Sequence, residues 1–307
     1  MVPDPTRPQA AAGTTHGSSC LVMLGLNPWV FGGVFLLLET QLRRPTSPHS
    51  ESMINNPWYL KNGVGKLSLG SLQGCLEVAR LSNGLNQLIL DNEPLPGSLW
   101  KIALGDESEK PSAGVGELRE AFQRGHDLFV SCVGPAGKPY RTSIYWRAEF
   151  SLSKAIHATL SLIVSVETDT LGSQPLIEVR SNLAANEVIF LKTIGQTSPH
   201  AETLADGRLE VAGSAEPHML GGILYRLPGG QFSLLELTHP ADFRSLCVKR
   251  EPGGTWSTEW KLLGQFLEKG VIRRARMQAA LLPRHDDVNL AVDCCSEFTA
   301  SEIPLST

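Results

Sequence analysis

From residue 53 onward the chain alternates with period two. Residues 140–150 (YRTSIYWRAEF) place Tyr140, Thr142, Ile144, Trp146, Ala148 and Phe150 on one side, and Arg141, Ser143, Tyr145, Arg147 and Glu149 on the other. An extended backbone separates the two sets in this way, whereas a helix scatters both. Residues 156–166 repeat the pattern, with Ala158, Leu160, Leu162, Val164 and Val166 set against Thr159, Ser161, Ile163 and Ser165. Further strands are predicted at 65–72, 74–81, 86–90, 98–104, 127–133, 175–180, 187–194, 207–212, 221–227, 231–238 and 244–250. Asn83-Gly84, Asp206-Gly207, Gly134–Gly137, Pro228-Gly229-Gly230 and Pro252-Gly253-Gly254 supply the turns between them.

Two stretches leave the pattern open. Residues 260–282 contain good helix formers, but Gly264 and Gly270 interrupt a helix at ~1 kcal/mol each. Two strands turning near Glu268-Lys269-Gly270 are the preferred reading. Residues 113–124 are expected to hold one or two helical turns. Strands do not alternate with helices, so a doubly wound parallel sheet is excluded. The expected architecture is all-β: a large antiparallel two-sheet sandwich over 53–307, with a possible subdivision at 196–206.

The first 52 residues differ in character. Residues 1–19 are rich in Pro, Ala, Gly, Ser and Thr, which predicts disorder, and residues 20–38 are apolar and uncharged. Three readings compete for the apolar run: a single membrane anchor, a secretory signal, or a stretch outside the working protein, with translation beginning at Met53. Asn27-Pro28 at mid-span weighs against the anchor, and the absence of a small-x-small cleavage site weighs against the signal. The fold is expected to dispense with residues 1–52.

Composition narrows the function classes. The 307 residues are 42% hydrophobic and 19% charged, with a net charge of −4. This is an ordinary globular balance and gives no support for nucleic-acid binding. The one basic cluster, Lys269, Arg273, Arg274 and Arg276, is offset by acidic neighbours. Six cysteines at 20, 75, 132, 247, 294 and 295 form no CxxC pair. Neighbouring Cys294 and Cys295 would face opposite ways on a strand. Free thiols in a reducing compartment follow, hence a cytoplasmic location, with membrane anchoring through residues 20–38 as the alternative. Phosphate loops, GxSxG elbows, HExxH and EF-hand loops are absent, so no cofactor and no metal is expected.

Three polar groups carry the candidate chemistry. Glu236, His239 and Asp242 form a corner before Arg244, where Pro240 holds His239 extended. Two carboxylates and an imidazole suit acid–base work. Arg141, Tyr145 and Arg147 share one strand face with Glu149, a set able to grip a carboxylate or a sugar. Trp256 and Trp260 follow a Gly-rich turn; they either close the open end of the sandwich, the preferred reading, or stand exposed and stack on a sugar ring or a partner. His285-Asp286-Asp287 is read as a solvated loop.

The stretches 126–130 (HDLFV), 138–147 (KPYRTSIYWR), 231–243 (QFSLLELTHPADF) and 266–276 (FLEKGVIRRAR) resemble an uncharacterised family of bacterial β-sandwich proteins. The resemblance implies β architecture and lends no activity. With no catalytic motif, the leading expectation is a non-enzymatic binding or interaction module for a carbohydrate or a protein partner, through Arg141, Tyr145, Arg147, Trp256 and Trp260. The alternative is a carbohydrate-active enzyme on a sandwich scaffold using Glu236, His239 and Asp242.

Overall fold

The computed structural model describes residues 56–106, 114–134, 140–150, 156–192, 200–205, 207–212 and 221–302. The chain divides into Met1–Met53 and Ile54–Thr307, and every described residue belongs to the second unit. The apolar segment 20–38, the linker 43–52, residues 135–139 and residues 196–199 and 206 of the candidate boundary lie outside the described residues. Among the described residues no helix is long and apolar enough to cross a membrane.

The strands, in chain order, are β1 (Trp58–Lys61), β2 (Val64–Leu69), β3 (Leu72–Glu77), β4 (Leu85–Leu90), β5 (Glu93–Pro94), β6 (Gly97–Asp106), β7 (Glu117–Arg124), β8 (Asp127–Val133), β9 (Tyr140–Phe150), β10 (Ala158–Thr168), β11 (Pro175–Ala184), β12 (Glu187–Lys192), β13 (His200–Thr203), β14 (Arg208–Ala212), β15 (Gly222–Arg226), β16 (Phe232–Thr238), β17 (Phe243–Arg250), β18 (Thr255–Leu263) and β19 (Ile272–Pro283). One helix, α1 (Asp287–Ala300), follows. The strands form two sheets. One runs β1-β2-β3-β4-β6-β11-β18-β17-β14 with β5 beside β4, and the other runs β13-β12-β15-β16-β19-β10-β9-β8-β7. Every pairing among the described strands is antiparallel. The protein is an all-β, two-sheet antiparallel sandwich.

Alternation does what the sequence dictates. Tyr140, Thr142, Ile144, Trp146 and Ala148 of β9 are buried, as are Ala158, Leu160, Leu162, Val164 and Val166 of β10. They meet the inward residues of the other sheet in one continuous core. At its centre Trp146 sits between Trp58 and Trp100, with ring centroids 6.4 and 5.7 Å away. Each fully buried large apolar side chain contributes ~1.5–3 kcal/mol relative to exposure, so this core is the main source of stability.

Three local expectations are revised. Residues 117–124 are strand β7, because they find a partner in β8. Residues 260–282 do hold two strands, but β18 and β19 belong to different sheets and form no hairpin. The chain leaves β18 through Leu263 and Gly264, at φ 66° and 76°, and crosses to the other sheet. It runs beside the crossing from β10 to β11. Gly264 N–H donates to Pro175 O at 2.9 Å, and Gly270 N–H to Thr168 O at 3.0 Å. The third revision is α1, where Cys294 and Cys295 stand one residue apart on a helix and are both buried. Ala291, Cys294, Cys295 and Phe298 recur at the i, i+3, i+4, i+7 spacing of an apolar helix stripe. The stripe covers Leu224, Leu235, Leu237, Ala280 and Leu282 on the outer face of the nine-stranded sheet. Strand β16 is therefore buried on both faces.

Asp287 fastens the start of α1. It accepts from Arg226 Nε at 3.0 Å and Nη2 at 3.1 Å, from Ser233 Oγ at 2.6 Å and from Arg284 Nη1 at 3.2 Å. Burial opposes its charge, but the Arg226 and Ser233 hydrogen bonds and the two guanidinium charges outweigh that, holding its carboxyl below the usual range. Instead of a solvated loop, the segment 285–287 ends in a buried anchor.

Candidate active site on the outer face of the nine-stranded sheet

The structure separates Glu236 from His239 and Asp242. Period two puts Glu236 on the inward side of β16 with Phe232 and Leu234, where it is 0% exposed. Its carboxylate accepts from Ser181 Oγ, from Tyr225 OH at 3.1 Å, from Thr258 Oγ1 at 3.2 Å and from Trp260 Nε1 at 3.1 Å. Ser181, Thr258 and Trp260 belong to the ten-stranded sheet and Tyr225 to the nine-stranded one, so the carboxylate joins the two layers. Burial raises its pKa, against the lowering effect of those four donors. Ser181 Oγ in turn accepts from the Trp100 N–H at 3.2 Å. No substrate reaches a group enclosed in this way.

His239 and Asp242 lie just past the end of β16, tied to Arg276 of the neighbouring strand β19. The His239 N–H donates to Arg276 O at 3.2 Å, and the Arg276 N–H donates to Asp242 Oδ2 at 3.0 Å. The imidazole is half-buried, with Nε2 3.3 Å from Thr299 O and its ring edge-to-face with Phe298. Burial is the largest influence on Asp242 and raises its pKa.

The outward residues of β9 lie on the same face as Arg276. Ser161 pairs with Arg147 on one side and Gln278 on the other, and Ile163 pairs with Tyr145 and Arg276. Extending the second row across β8 and β7 adds Phe129 and Phe122. The result is one register row, Phe122–Phe129–Tyr145–Ile163–Arg276. Its aromatic rings touch in sequence, with centroids 4.7 Å apart for Phe122–Phe129 and 4.8 Å for Phe129–Tyr145. Phe122 is 40% exposed. Beside the row, a cavity of about 150 Å³ is lined by Arg147, Glu149, Ser161, Arg276 and Gln278, and closed by Phe298, Ser301 and Glu302 at the end of α1. Arg147 grips Asp127 with Nε at 2.8 Å and Nη2 at 3.0 Å, which raises its pKa. Arg141 is paired outside the cavity, with Glu167 at 2.8 Å and Asp169 at 3.0 Å.

Trp256 and Trp260 lie elsewhere. Both point inward from β18 and are 4% and 0% exposed. Arg250 lies 5.9 Å from the centre of the Trp256 ring. Among the described residues, no group of three or more His, Cys, Asp or Glu is placed to hold a metal ion. Burial pushes the thiols of Cys132, Cys294 and Cys295 up to about 11, about 12 and about 12, so none is a thiolate nucleophile at neutral pH. The sequence reading omitted Phe122, Phe129, Arg276 and Gln278 from its candidate binding set. Their periodicity was visible, but their convergence depends on which strands pair.

No protein-family model matches the sequence. No curated protein matches it either. Solved structures with a similar sandwich include the galactosidase domain of alpha-galactosidase-sucrose kinase, AgaSK. It is 9% identical at a TM-score of 0.44, over 73% of this chain and 41% of that one. The alpha-N-acetylgalactosaminidase NagBb from Bifidobacterium bifidum is 12% identical at a TM-score of 0.41, over 74% of this chain and 36% of that one. A putative aldose 1-epimerase from Klebsiella pneumoniae is 9% identical at a TM-score of 0.37, over 80% of this chain and 87% of that one. This chain thus spans less than half the length of the first two.

Two expectations are corrected. The resemblance to an uncharacterised bacterial family gains no family match, and the similar structures bear the names of carbohydrate-active enzymes. The non-enzymatic binding module also fails. It rested on the lack of a catalytic motif and on exposed-looking Trp and Arg faces, whereas Trp256 and Trp260 are core residues and Arg141 and Arg147 are paired with carboxylates.

Proposed function

We propose that the chain is a carbohydrate-active enzyme whose sugar lies on the outer face of the nine-stranded sheet and reacts in the cavity at the end of α1. The observation that carries this reading is the aromatic row Phe122–Phe129–Tyr145 leading to a pocket lined by Arg147, Glu149, Ser161, Arg276, Gln278 and Glu302. Aromatic faces stack on the C–H faces of sugar rings, and Gln278 and Ser161 are of the type that holds hydroxyls. Glu149 and Glu302 supply the carboxylate pair that acid–base chemistry at an anomeric carbon requires. Among the described residues neither is held in an ion pair. Glu149 is assigned the acid–base role because it stands on a rigid strand, whereas Glu302 follows the helix end.

The test is release of new reducing ends from a panel of oligosaccharides by the full chain. Turnover is expected, with Glu149→Gln lowering kcat by ~100-fold or more. Absence of turnover across the panel overturns the enzyme reading, and undiminished turnover in Glu149→Gln overturns the assignment of Glu149.

A further inference from the structure

Arg276 is only 4% exposed, yet among the described residues its guanidinium makes no ion pair with a carboxylate. Its guanidinium lies over the Phe298 ring, 5.5 Å from the centroid. All the hydrogen bonds it makes among the described residues run through Nη1, to Ser301 O at 3.1 Å, Ser301 Oγ at 3.1 Å and Glu302 O at 3.0 Å. Nε is buried and has no partner. The nearby acids are otherwise engaged or distant: Asp242 accepts the backbone N–H of Arg276, and Asp127 is gripped by Arg147. Glu149 lies two strands across and four residues along from Arg276 in the register, at the far end of the cavity. Glu302 meets Arg276 through its backbone carbonyl and not its carboxylate. The Nε–Nη2 edge of a guanidinium is the edge that grips a carboxylate through two parallel hydrogen bonds. Here Arg276 lines a cavity, and among the described residues neither Nε nor Nη2 makes a hydrogen bond.

We infer that Arg276 is the carboxylate-binding residue of the site, so that the sugar it takes is acidic: a uronate whose carboxylate occupies the Nε–Nη2 edge, with the adjoining units running along Ile163 and Tyr145 toward Phe122. This rests on the sugar-binding reading of the same face and adds the chemical class of the ligand. The positive end of the row, the cavity beside it and the unsatisfied donor coincide at one residue. Desolvation lowers the pKa of Arg276, and the charge of Asp242 offsets this only in part.

Isothermal titration of the full chain with trigalacturonate, its fully methyl-esterified form and neutral galactotriose tests this. Trigalacturonate is expected to bind at least ~10-fold more tightly than either neutral probe, as a charge-assisted bidentate contact provides. Arg276→Gln is expected to abolish the preference and Arg276→Lys to weaken it. Arg141→Gln removes a cation from the same face outside the cavity and is expected to leave the preference intact. Equal affinity for the acidic and neutral trisaccharides overturns this inference while leaving the sugar-binding reading in place. Preference retained in folded Arg276→Gln, or lost equally in Arg141→Gln, also overturns it. Absence of binding by all three probes counts against both readings. The wild-type comparison of acid with ester decides the point even if an Arg276 variant fails to fold.

Discussion

Glu236 and Arg276 are both charged groups that the fold has taken out of water, and they could hardly be treated more differently. Glu236 sits between the sheets with four donors converging on its two oxygens. Arg276 sits under the end of α1 with three acceptors on a single nitrogen and an unsatisfied Nε. Burial alone does not mark a functional group. A buried group whose hydrogen-bonding capacity is met within the protein holds the architecture together. One whose capacity is left open beside a cavity is available to a ligand.

The largest effect should come from breaking the first of these. Replacing Glu236 with Leu strands Ser181, Tyr225, Thr258 and Trp260 donors in the core at once. Each orphaned donor costs ~1–3 kcal/mol less whatever hydroxyls can re-pair, so a net loss of roughly 3–5 kcal/mol is expected. That corresponds to a fall in Tm of roughly 6–12 °C for a domain of this size, read by calorimetry. Glu236→Gln keeps the shape and can reverse one hydrogen bond with Ser181, so it should stay within ~1 kcal/mol of wild type. Similar losses in both variants would show that the donors do not depend on this acceptor.

Asp287 should come next. Asp287→Ala leaves Arg226 with Glu187 alone and frees the start of α1 from Ser233, with an expected loss of roughly 2–4 kcal/mol in urea unfolding. Loss of helix signal ahead of the main transition would show that α1 detaches first. A loss no larger than a surface substitution would refute its role as the anchor.

The strands were legible because period two is a property of the backbone, and β9 and β10 fall where the alternation places them. Partnership was not legible. Nothing in residues 260–282 says that β18 joins one sheet and β19 the other, because that choice is made by the crossing at Gly264–Val271 alongside Thr168–Pro175. The helix stripe Ala291–Cys294–Cys295–Phe298 was readable, and the adjacent cysteines drew attention to a strand instead. Glu236 shares its side of β16 with Phe232 and Leu234, so its burial was readable too. Trp256 and Trp260 share the inward side of β18 by the same rule. The aromatic row was beyond reach, since Phe122, Phe129 and Tyr145 meet only through the β7–β8–β9 register.

The pH dependence of stability sharpens the contrast. Burial raises the folded pKa of Glu236 above 4.5. Between that value and the raised one the folded protein retains a proton that the unfolded chain has released. Stability therefore falls as pH rises through this window. Asp242, raised from 3.8, acts in the same direction, while Asp287 and Glu187 are lowered and lose their contribution as pH falls. In unfolding series above pH 4, wild type should lose stability relative to Glu236→Gln as pH rises. Parallel curves would mean that the four donors fully offset the desolvation of the carboxylate.

The smallest effect is expected where the group was most suspect. Arg276→Met keeps an unbranched apolar stem against Phe298 and removes the unsatisfied Nε together with the buried charge. It also removes the Nη1 bonds to Ser301 and Glu302, whose carbonyls lie near the cavity mouth and have water as a substitute. These changes oppose one another, and the net change in unfolding free energy should be within ~1 kcal/mol, well below the Glu236→Leu loss. A loss as large as that of Glu236→Leu would make Arg276 a second structural tie, holding the end of α1 to the sheet, and the distinction between the two buried charges would collapse. A stable Arg276→Met protein that no longer distinguishes trigalacturonate from its ester would place the residue's role in the ligand and not in the fold.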